Sequence, residues 1–246
     1  MKFFIAFVVA GFGFTGAQAQ TDLDDLPERN NIIKINLSAL VFKNISIQYE
    51  RKLTDRISFA LNGRYMPFGK NPVKKVVEEI VDQPSVSFNQ FRLGNVGITP
   101  ELRFYTGKLG VFNGFYLGPF FSYNNYKTDL PISYGNPQKT GVFSGKMRTY
   151  TAGIQIGAQF KMGKKGYLDW WAIGPNYGTE SGDFNYTGVL SATEQDALRL
   201  ELEDLKNNAS VSAIKTYEVN KNGASIITKG GWGGIRAMGF AIGYYF

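Results

Sequence analysis

Five charged side chains are the residues of this sequence with the clearest capacity for chemistry. They are Lys34, Glu50, Arg64, Glu101 and Arg103. Carboxylates beside cationic groups can relay protons or bind a polar substrate, but the same groups also neutralise one another in a narrow protein interior. We interpret the five as a structural polar network in the lumen of a barrel. A proton relay or substrate site at these residues is the alternative.

The residue types needed for most catalytic and metal sites are missing from the sequence. It contains no cysteine and no histidine, which excludes disulfides, thiolate ligands, and the cysteine and Ser-His nucleophiles. The acidic groups at 78–82 and 201–204 lack the fixed spacing of a calcium loop. We therefore predict no catalytic, cofactor-binding or metal-binding residues and expect a protein that is not an enzyme. An enzyme that uses Glu50 or Glu101 stays open.

Eight segments of the sequence alternate between apolar and polar residues, as β-strands do. The segment from Thr149 to Phe160 is typical: Tyr150, Ile154 and Ile156 lie on one face, and glutamine, threonine and glycine lie on the other. We predict that each segment lies in a tilted transmembrane strand, which requires about 9–11 residues. The segments are 33–39, 45–50, 57–65, 95–104, 114–128, 149–160, 167–177 and 234–246. The facing of segments 114–128 and 167–177 is left open, because both of their faces are apolar.

The distribution of charge between the two faces decides between a soluble and a membrane barrel. Lys34, Glu50 and Glu101 share the polar face, and placing an Arg or Lys in lipid at the midplane costs about 2–4 kcal/mol. The polar face therefore points inward. The predicted fold class is all-β: an eight-stranded antiparallel up-and-down transmembrane β-barrel with short helices in the long loops.

The connections between these segments alternate in length. Segments 69–87, 129–146 and 178–233 are long and separated by short turns, so both termini are expected on the periplasmic side. The spacing of valine and isoleucine predicts a short helix over 73–81. Ser191 and Glu194 form a capping-box pattern ahead of Leu198, Leu202 and Leu205, which predicts a second helix of about four turns.

The N-terminal sequence is typical of an exported protein. Lys2 precedes an apolar run over 3–14, and Ala17-Gln18-Ala19 fits the signal-peptidase pattern. We predict a signal peptide over 1–19, a periplasmic segment over 20–31, and an outer-membrane β-barrel over 32–246. The expected location is the bacterial outer membrane.

The C-terminus ends in alternating apolar residues, listed here as Phe240, Ile242, Tyr244 and Phe246. This pattern resembles the C-terminal assembly signal of bacterial outer-membrane proteins, which implies contact with the barrel-assembly machinery during insertion. An ordinary edge strand is the alternative, although such an edge would be prone to aggregation unless it were closed.

Three stretches resemble the small eight-stranded outer-membrane proteins of the Bacteroidota: Lys34–Leu40, Ile45–Glu50 and Gly114–Pro119. The resemblance implies an outer-membrane barrel and carries no functional residues with it. Trp170, Trp171 and Trp232 fit an aromatic belt at the membrane interface better than a sugar-stacking site.

The partners expected from the sequence follow from this fold. Lysine and arginine total 27 against 20 acidic residues, but no run of five basic residues occurs, so we expect no nucleic-acid partner. We expect outer-membrane lipid around the barrel, and a structural or protein-docking role with an envelope protein bound through loop 178–233. The alternatives are a surface receptor or adhesin that binds through the extracellular loops, and a narrow diffusion channel.

Overall fold

The structure, a computed structural model, describes residues 30–70, 90–207, 214–236 and 238–246. The elements in chain order are β1 (Asn31–Asn36), α1 (Leu37–Leu40), β2 (Ile45–Lys52), β3 (Ile57–Gly69), β4 (Arg92–Tyr105), β5 (Gly114–Tyr134), β6 (Lys139–Met162), β7 (Gly166–Thr187), α2 (Ala192–Asn207), β8 (Ile214–Asn220), β9 (Gly223–Arg236) and β10 (Gly239–Tyr245). The signal peptide 1–19, most of the segment 20–31, and the helix predicted over 73–81 lie outside the described residues.

All ten described strands belong to one antiparallel sheet, which confirms the predicted all-β antiparallel class. Their order is β10-β1-β2-β3-β4-β5-β6-β7-β9-β8, and β10 also pairs with β7. Because β10 has β1 on one edge and β7 on the other, the sheet partly rings an interior. We call β1 to β7 together with β10 the circuit.

The long strands correct two of the predicted loops. Segment 129–146 is not a loop, because β5 and β6 remain paired up to Tyr134 and Lys139. Segment 178–233 is not a single loop either, because β7 continues to Thr187 and β8 and β9 pair beside it. The extra strand length packs against α2, an arrangement that alternation within single strands does not reveal. We call this region, residues 129–146 and 178–228, the extension.

The core of the extension is apolar. Ile132, Phe143, Phe184 and Ile226 from the strands pack with the leucines of α2. The predicted helix is confirmed over Ala192–Asn207, with Leu198, Leu202 and Leu205 buried. Its capping box is also confirmed. The Ser191 N–H donates to Glu194 Oε2 at 2.7 Å, and the Glu194 N–H donates to Ser191 Oγ at 3.3 Å.

An ion pair fixes α2 to the β5–β6 hairpin. Lys139 Nζ donates to Glu194 Oε1. This contact, together with the hydrogen bonds from Ser191, lowers the pKa of Glu194 to about 2 and raises the pKa of Lys139.

No helix among the described residues is long and apolar enough to cross a membrane.

The first strand is shorter than its alternation predicts. The alternation predicts a strand over the whole of 33–39. In the structure β1 ends at Asn36, and residues 37–40 form the helical turn α1. The Asn36 side chain causes the change, because its Oδ1 accepts the N–H of Ala39 at 3.0 Å and caps the turn. A helical turn therefore replaces strand at this point of the sheet.

The two faces of the circuit differ in polarity as the alternation predicts. Ile154 and Ile242 are 49% and 42% exposed on the outer face, whereas Lys34 and Glu101 are each 2% exposed on the inner face. The structure also gives the facing of segments 114–128 and 167–177. Tyr116 and Phe120 of β5, and Tyr167 and Asp169 of β7, are buried on the inner face.

Candidate functional site: the interior polar network and the cavity beside it

The interior of the circuit holds a cluster of charged side chains from four strands. Lys34 comes from β1, Glu50 from β2, Glu101 and Arg103 from β4, and Asp169 from β7. Successive inner positions on a strand are two residues apart, so Glu101 and Arg103 both point inward. The structure thus brings together four of the five residues that the sequence singled out, and it adds Asp169.

Each charged group in this cluster contacts several others. Lys34 Nζ donates to a carboxylate oxygen of Glu50 and to Asp169 Oδ2. The Arg103 guanidinium donates to Glu101 at 2.9 Å, to Asp169 at 2.6 Å and to Glu50 at 3.1 Å. Arg103 therefore connects three carboxylates, which satisfies the geometry that a buried ion-pair network requires.

Two tyrosines complete the network. The Tyr105 hydroxyl lies 2.8 Å from Glu50 Oε1, and the Tyr116 hydroxyl donates to Asp169 Oδ1 at 2.9 Å. The Arg103 guanidinium also stacks 4.3 Å from the centroid of the Tyr116 ring. These contacts fix the orientation of Arg103 from both its edge and its face.

Two inner-face glycines make room for the charged side chains. A Cβ atom on Gly118 would lie 2.5 Å from Glu101 Oε1, and one on Gly243 would lie 2.6 Å from Lys34 Cγ. These glycines are required for close approach and not for an unusual backbone conformation. They explain why small residues share the inner face with large charged ones.

The network is neutral and closed to solvent. Its cations are Lys34, Arg103 and Arg236, and its carboxylates are Glu50, Glu101 and Asp169, so three charges balance three. The ion-paired side chains other than Arg236 are 0–1% exposed. The gap on the side of Arg236 has a volume of about 10 Å³, roughly the space that one water occupies. Lys34, Arg103 and the three carboxylates are therefore closed to a substrate, whereas Arg236 also lines a neighbouring cavity.

Arg64 is not part of this network, contrary to the prediction. It forms no ion pair with a carboxylate in the part of the chain that the structure describes, and it lines a larger cavity of about 330 Å³ on the α1 side of the network. Its position on β3 explains the difference. Arg64 pairs with Ser46 and Gly97, several inner positions along the strands from Glu50 and Arg103.

The larger cavity, here called the arginine cavity, combines cationic, amide and aromatic side chains. Arg64 and Arg236 supply the charge, Asn44 and Asn124 supply amides, and Tyr126 lies 6.4 Å from Trp232, centroid to centroid. No described carboxylate lines it. Trp171 is buried and also lines it. Trp171 and Trp232 thus face the interior, which corrects their assignment to an aromatic belt.

Sequence reasoning missed Asp169 and Arg236 for different reasons. Asp169 is the single charged residue of segment 167–177, and a lone charge in a strand otherwise suited to lipid has to face inward. That signal was present. Arg236 and Phe240 are four residues apart, so strict alternation along one strand would place both on the outer face. The strand breaks between β9 and β10, and Arg236 therefore faces inward, 3.5 Å from Glu101, while Phe240 faces out.

The four C-terminal residues of the predicted assembly signal lie on the outer face. Phe240, Ile242, Tyr244 and Phe246 are all exposed. β10, which carries the first three, pairs with both β1 and β7.

The described residues contain no group of three or more acidic side chains arranged to hold a metal ion.

Comparison with known proteins identifies one family. A family model described as "Protein of unknown function (DUF3575)" matches residues 4–186. No curated protein and no solved structure matches the chain.

Proposed function

The chain belongs to the family described as "Protein of unknown function (DUF3575)", and from its geometry we propose an eight-stranded β-barrel of the bacterial outer membrane, of the kind that its sequence resembles in the Bacteroidota. In this proposal the barrel is not an enzyme. It anchors the extension at the cell surface, where the extension docks an envelope protein.

The observation that supports this proposal most strongly is the apolar outer face of the circuit. Every one of its eight strands exposes large apolar side chains; they include Ile33, Ile47, Leu61, Ile98, Leu117, Ile156, Ile173 and Phe240. A soluble protein rarely exposes a continuous apolar surface of this extent. Lipid covers such a surface at no cost, and the closed pairing of β10 with β1 and β7 suits the bilayer, where an unpaired backbone is expensive.

The height of the apolar surface fits an outer membrane. On β6 it runs from Tyr150 to Phe160, with Ile154 and Ile156 between them. These ten steps, at a rise of about 3.3 Å per residue and a tilt of about 40°, span about 25 Å. The lipid-facing band of outer-membrane barrels is also about 25 Å tall.

Tyrosines mark one edge of this surface. Tyr65, Tyr150 and Tyr177 are exposed there, and Tyr123 lies 5.1 Å from Tyr150, centroid to centroid. Tyrosine prefers the headgroup region, where its ring is in contact with apolar groups and its hydroxyl is in contact with water. The extension continues beyond this edge and would project from the membrane.

The closed network argues for an anchoring and docking role over a diffusion channel. Lys34, Arg103 and Asp169 are buried and ion-paired across the interior, which argues against a continuous path for solutes. The extension, in contrast, has its own apolar core around α2. A separately packed region of this kind is suited to binding a protein.

Membrane fractionation tests the proposal. The full chain should stay with the membrane pellet after washing with urea and with carbonate, and should migrate differently in SDS gels before and after boiling. Release of the protein into the wash as a soluble monomer would overturn the proposal.

A deletion tests the docking role separately. Mild-detergent pull-down with the intact chain should recover an envelope protein that a variant with residues 188–222 replaced by a short glycine-serine turn does not recover. Both proteins must first show equal membrane insertion. Equal recovery by the two would exclude docking through residues 188–222 and favour a purely structural role.

A further inference from the structure

Beside the arginine cavity, one edge of β9 is without a partner strand among the described residues. β9 pairs with β7 up to Arg236, but on its other edge β8 pairs only as far as Thr228. β1, the strand that follows in the circuit, ends at Asn36 opposite Ala241. Residues 229–236 of β9 therefore have no paired strand on that edge among the described residues, and α1 lies where a strand would continue.

The arginine cavity meets the outer apolar surface beside this edge. Phe42, Ile235 and Met238 line the cavity and are also 39%, 66% and 65% exposed. Side chains that line a cavity and are also exposed lie at its opening, which we call the mouth. Gly233 of β9 pairs with Tyr177, one of the exposed tyrosines at the edge of the apolar surface. Ile235 follows two residues later, so the mouth lies just inside the tyrosine edge.

An unpaired strand edge at this depth is expensive in lipid. Irregular backbone inside a bilayer is tolerated where it is buried in protein or lines a cavity that offers polar groups. The apolar residues Phe42, Ile235 and Met238 surround the mouth, so the opening favours an apolar chain over ions or sugars.

The inner end of the cavity favours an anion. Arg64 has no described carboxylate partner, and Arg236 contacts Glu101 only at 3.5 Å. Guanidinium groups bind carboxylates and phosphates through paired N–H donors. Because no described carboxylate lines the cavity, its two arginines are available to bind an anion.

We propose that the arginine cavity binds an amphipathic anion, with a carboxylate or phosphate headgroup between Arg64 and Arg236 and an acyl tail that leaves through the mouth into the membrane. The volume of about 330 Å³ falls in the usual range of roughly 300–1,000 Å³ for small-molecule sites. Tyr126, Trp171 and Trp232 form the apolar wall along the first part of the tail. This inference rests on the proposed function, because the mouth opens to lipid only in a membrane barrel.

Equilibrium binding of defined amphiphiles tests the inference. The full chain is reconstituted into phosphatidylcholine nanodiscs and titrated with labelled dodecanoate, dodecyl phosphate and the neutral dodecanol, with empty nanodiscs as background. Saturable binding of one anion per protein is expected, with dodecanol at background. Arg64→Met should weaken anion binding at least about tenfold, since a charge-assisted hydrogen bond is worth roughly that factor or more.

The matched control is Arg148→Met, because Arg148 is an exposed arginine on β6 outside the arginine cavity. It should bind both anions as the unchanged protein does. Tighter binding of dodecanoate than of dodecyl phosphate would assign the headgroup to a fatty-acid carboxylate, and the reverse order would assign it to a lipid phosphate.

Three results would overturn the inference: dodecanol binding as tightly as the anions, unchanged anion binding in an Arg64→Met variant that inserts normally, or no binding of either anion by the inserted protein. The failure of the proposed function is distinguishable from all three. In that case the unchanged protein would not associate with the bilayer at all, whereas bilayer-inserted protein that binds neither anion contradicts this inference alone.

Discussion

At the scale of single residues, the interior is organised by Arg103 and Lys34. Each contacts more than one carboxylate, so neither can be removed without leaving an unbalanced negative charge in a region closed to water. A buried ion pair contributes little net stability when intact, but breaking it from one side is costly. The network therefore specifies how the strands fit together more than it adds to the free energy of unfolding.

Replacing Lys34 tests this role. Lys34→Met keeps most of the side-chain volume but leaves Glu50 and Asp169 with Arg103 as their shared cation. We expect the free energy of unfolding to fall by about 3–5 kcal/mol, measured by urea titration in detergent micelles. The control is Lys164→Met in the exposed β6–β7 turn, which should change it by less than about 0.5 kcal/mol. Equal stability of the two variants would contradict the prediction.

At the scale of elements, α2 depends on the contact between Glu194 and Lys139. The lowered pKa of Glu194, about 2 in the folded protein against 4.5 ordinarily, means that the folded state favours the carboxylate. Its stabilising contribution is complete above pH 4.5 and is lost as the pH falls toward 2.

Hydrogen exchange checks this pH dependence. The protection factors of the first turn of α2 should decrease as the pH falls from 4.5 to 2. Glu194→Gln keeps a capping-box side chain but removes the charge, so it should show lower protection at neutral pH and no decrease across that window. Asp204→Asn, at an exposed position of the same helix, is the control and should keep the decrease. A decrease that persists in Glu194→Gln would assign it to another group.

At the scale of the whole molecule, the polarity of the two faces supports the proposed location in a membrane. Ile156→Arg places a charge at the middle of the apolar surface, where Ile156 is 48% exposed. In lipid vesicles we expect a loss of about 2–4 kcal/mol in the free energy of unfolding. Val189→Arg is the matched control, since Val189 is 94% exposed beyond the tyrosine edge, and it should change stability little. An equal effect of the two variants would argue that no bilayer covers the outer face.

Conductance separates the closed interior from the channel alternative. Because the network fills the circuit, the reconstituted protein should show no steady conductance in planar bilayers. Stable ohmic steps in the unchanged protein would favour the narrow diffusion channel over the anchoring role.

The sequence by itself determined the class of structure and most of the inner face. Alternation of apolar and polar residues has a period of two in any extended strand. This period alone assigns Lys34, Glu50, Glu101 and Arg103 to the polar face, without knowledge of which strands pair. The capping box of α2 was equally readable, because its two hydrogen bonds connect residues three apart in the chain.

Only the tertiary structure decided what depends on neighbours far apart in sequence. Four features follow from which described strands pair and where their pairing stops. They are the extension, the separation of Arg64 from the network, the inward position of Asp169 and the unpaired edge of β9 beside α1. The closure of the circuit depends on pairing between segments far apart in the chain, β1 with β10. A periodic pattern within one segment contains no information about where its partner ends.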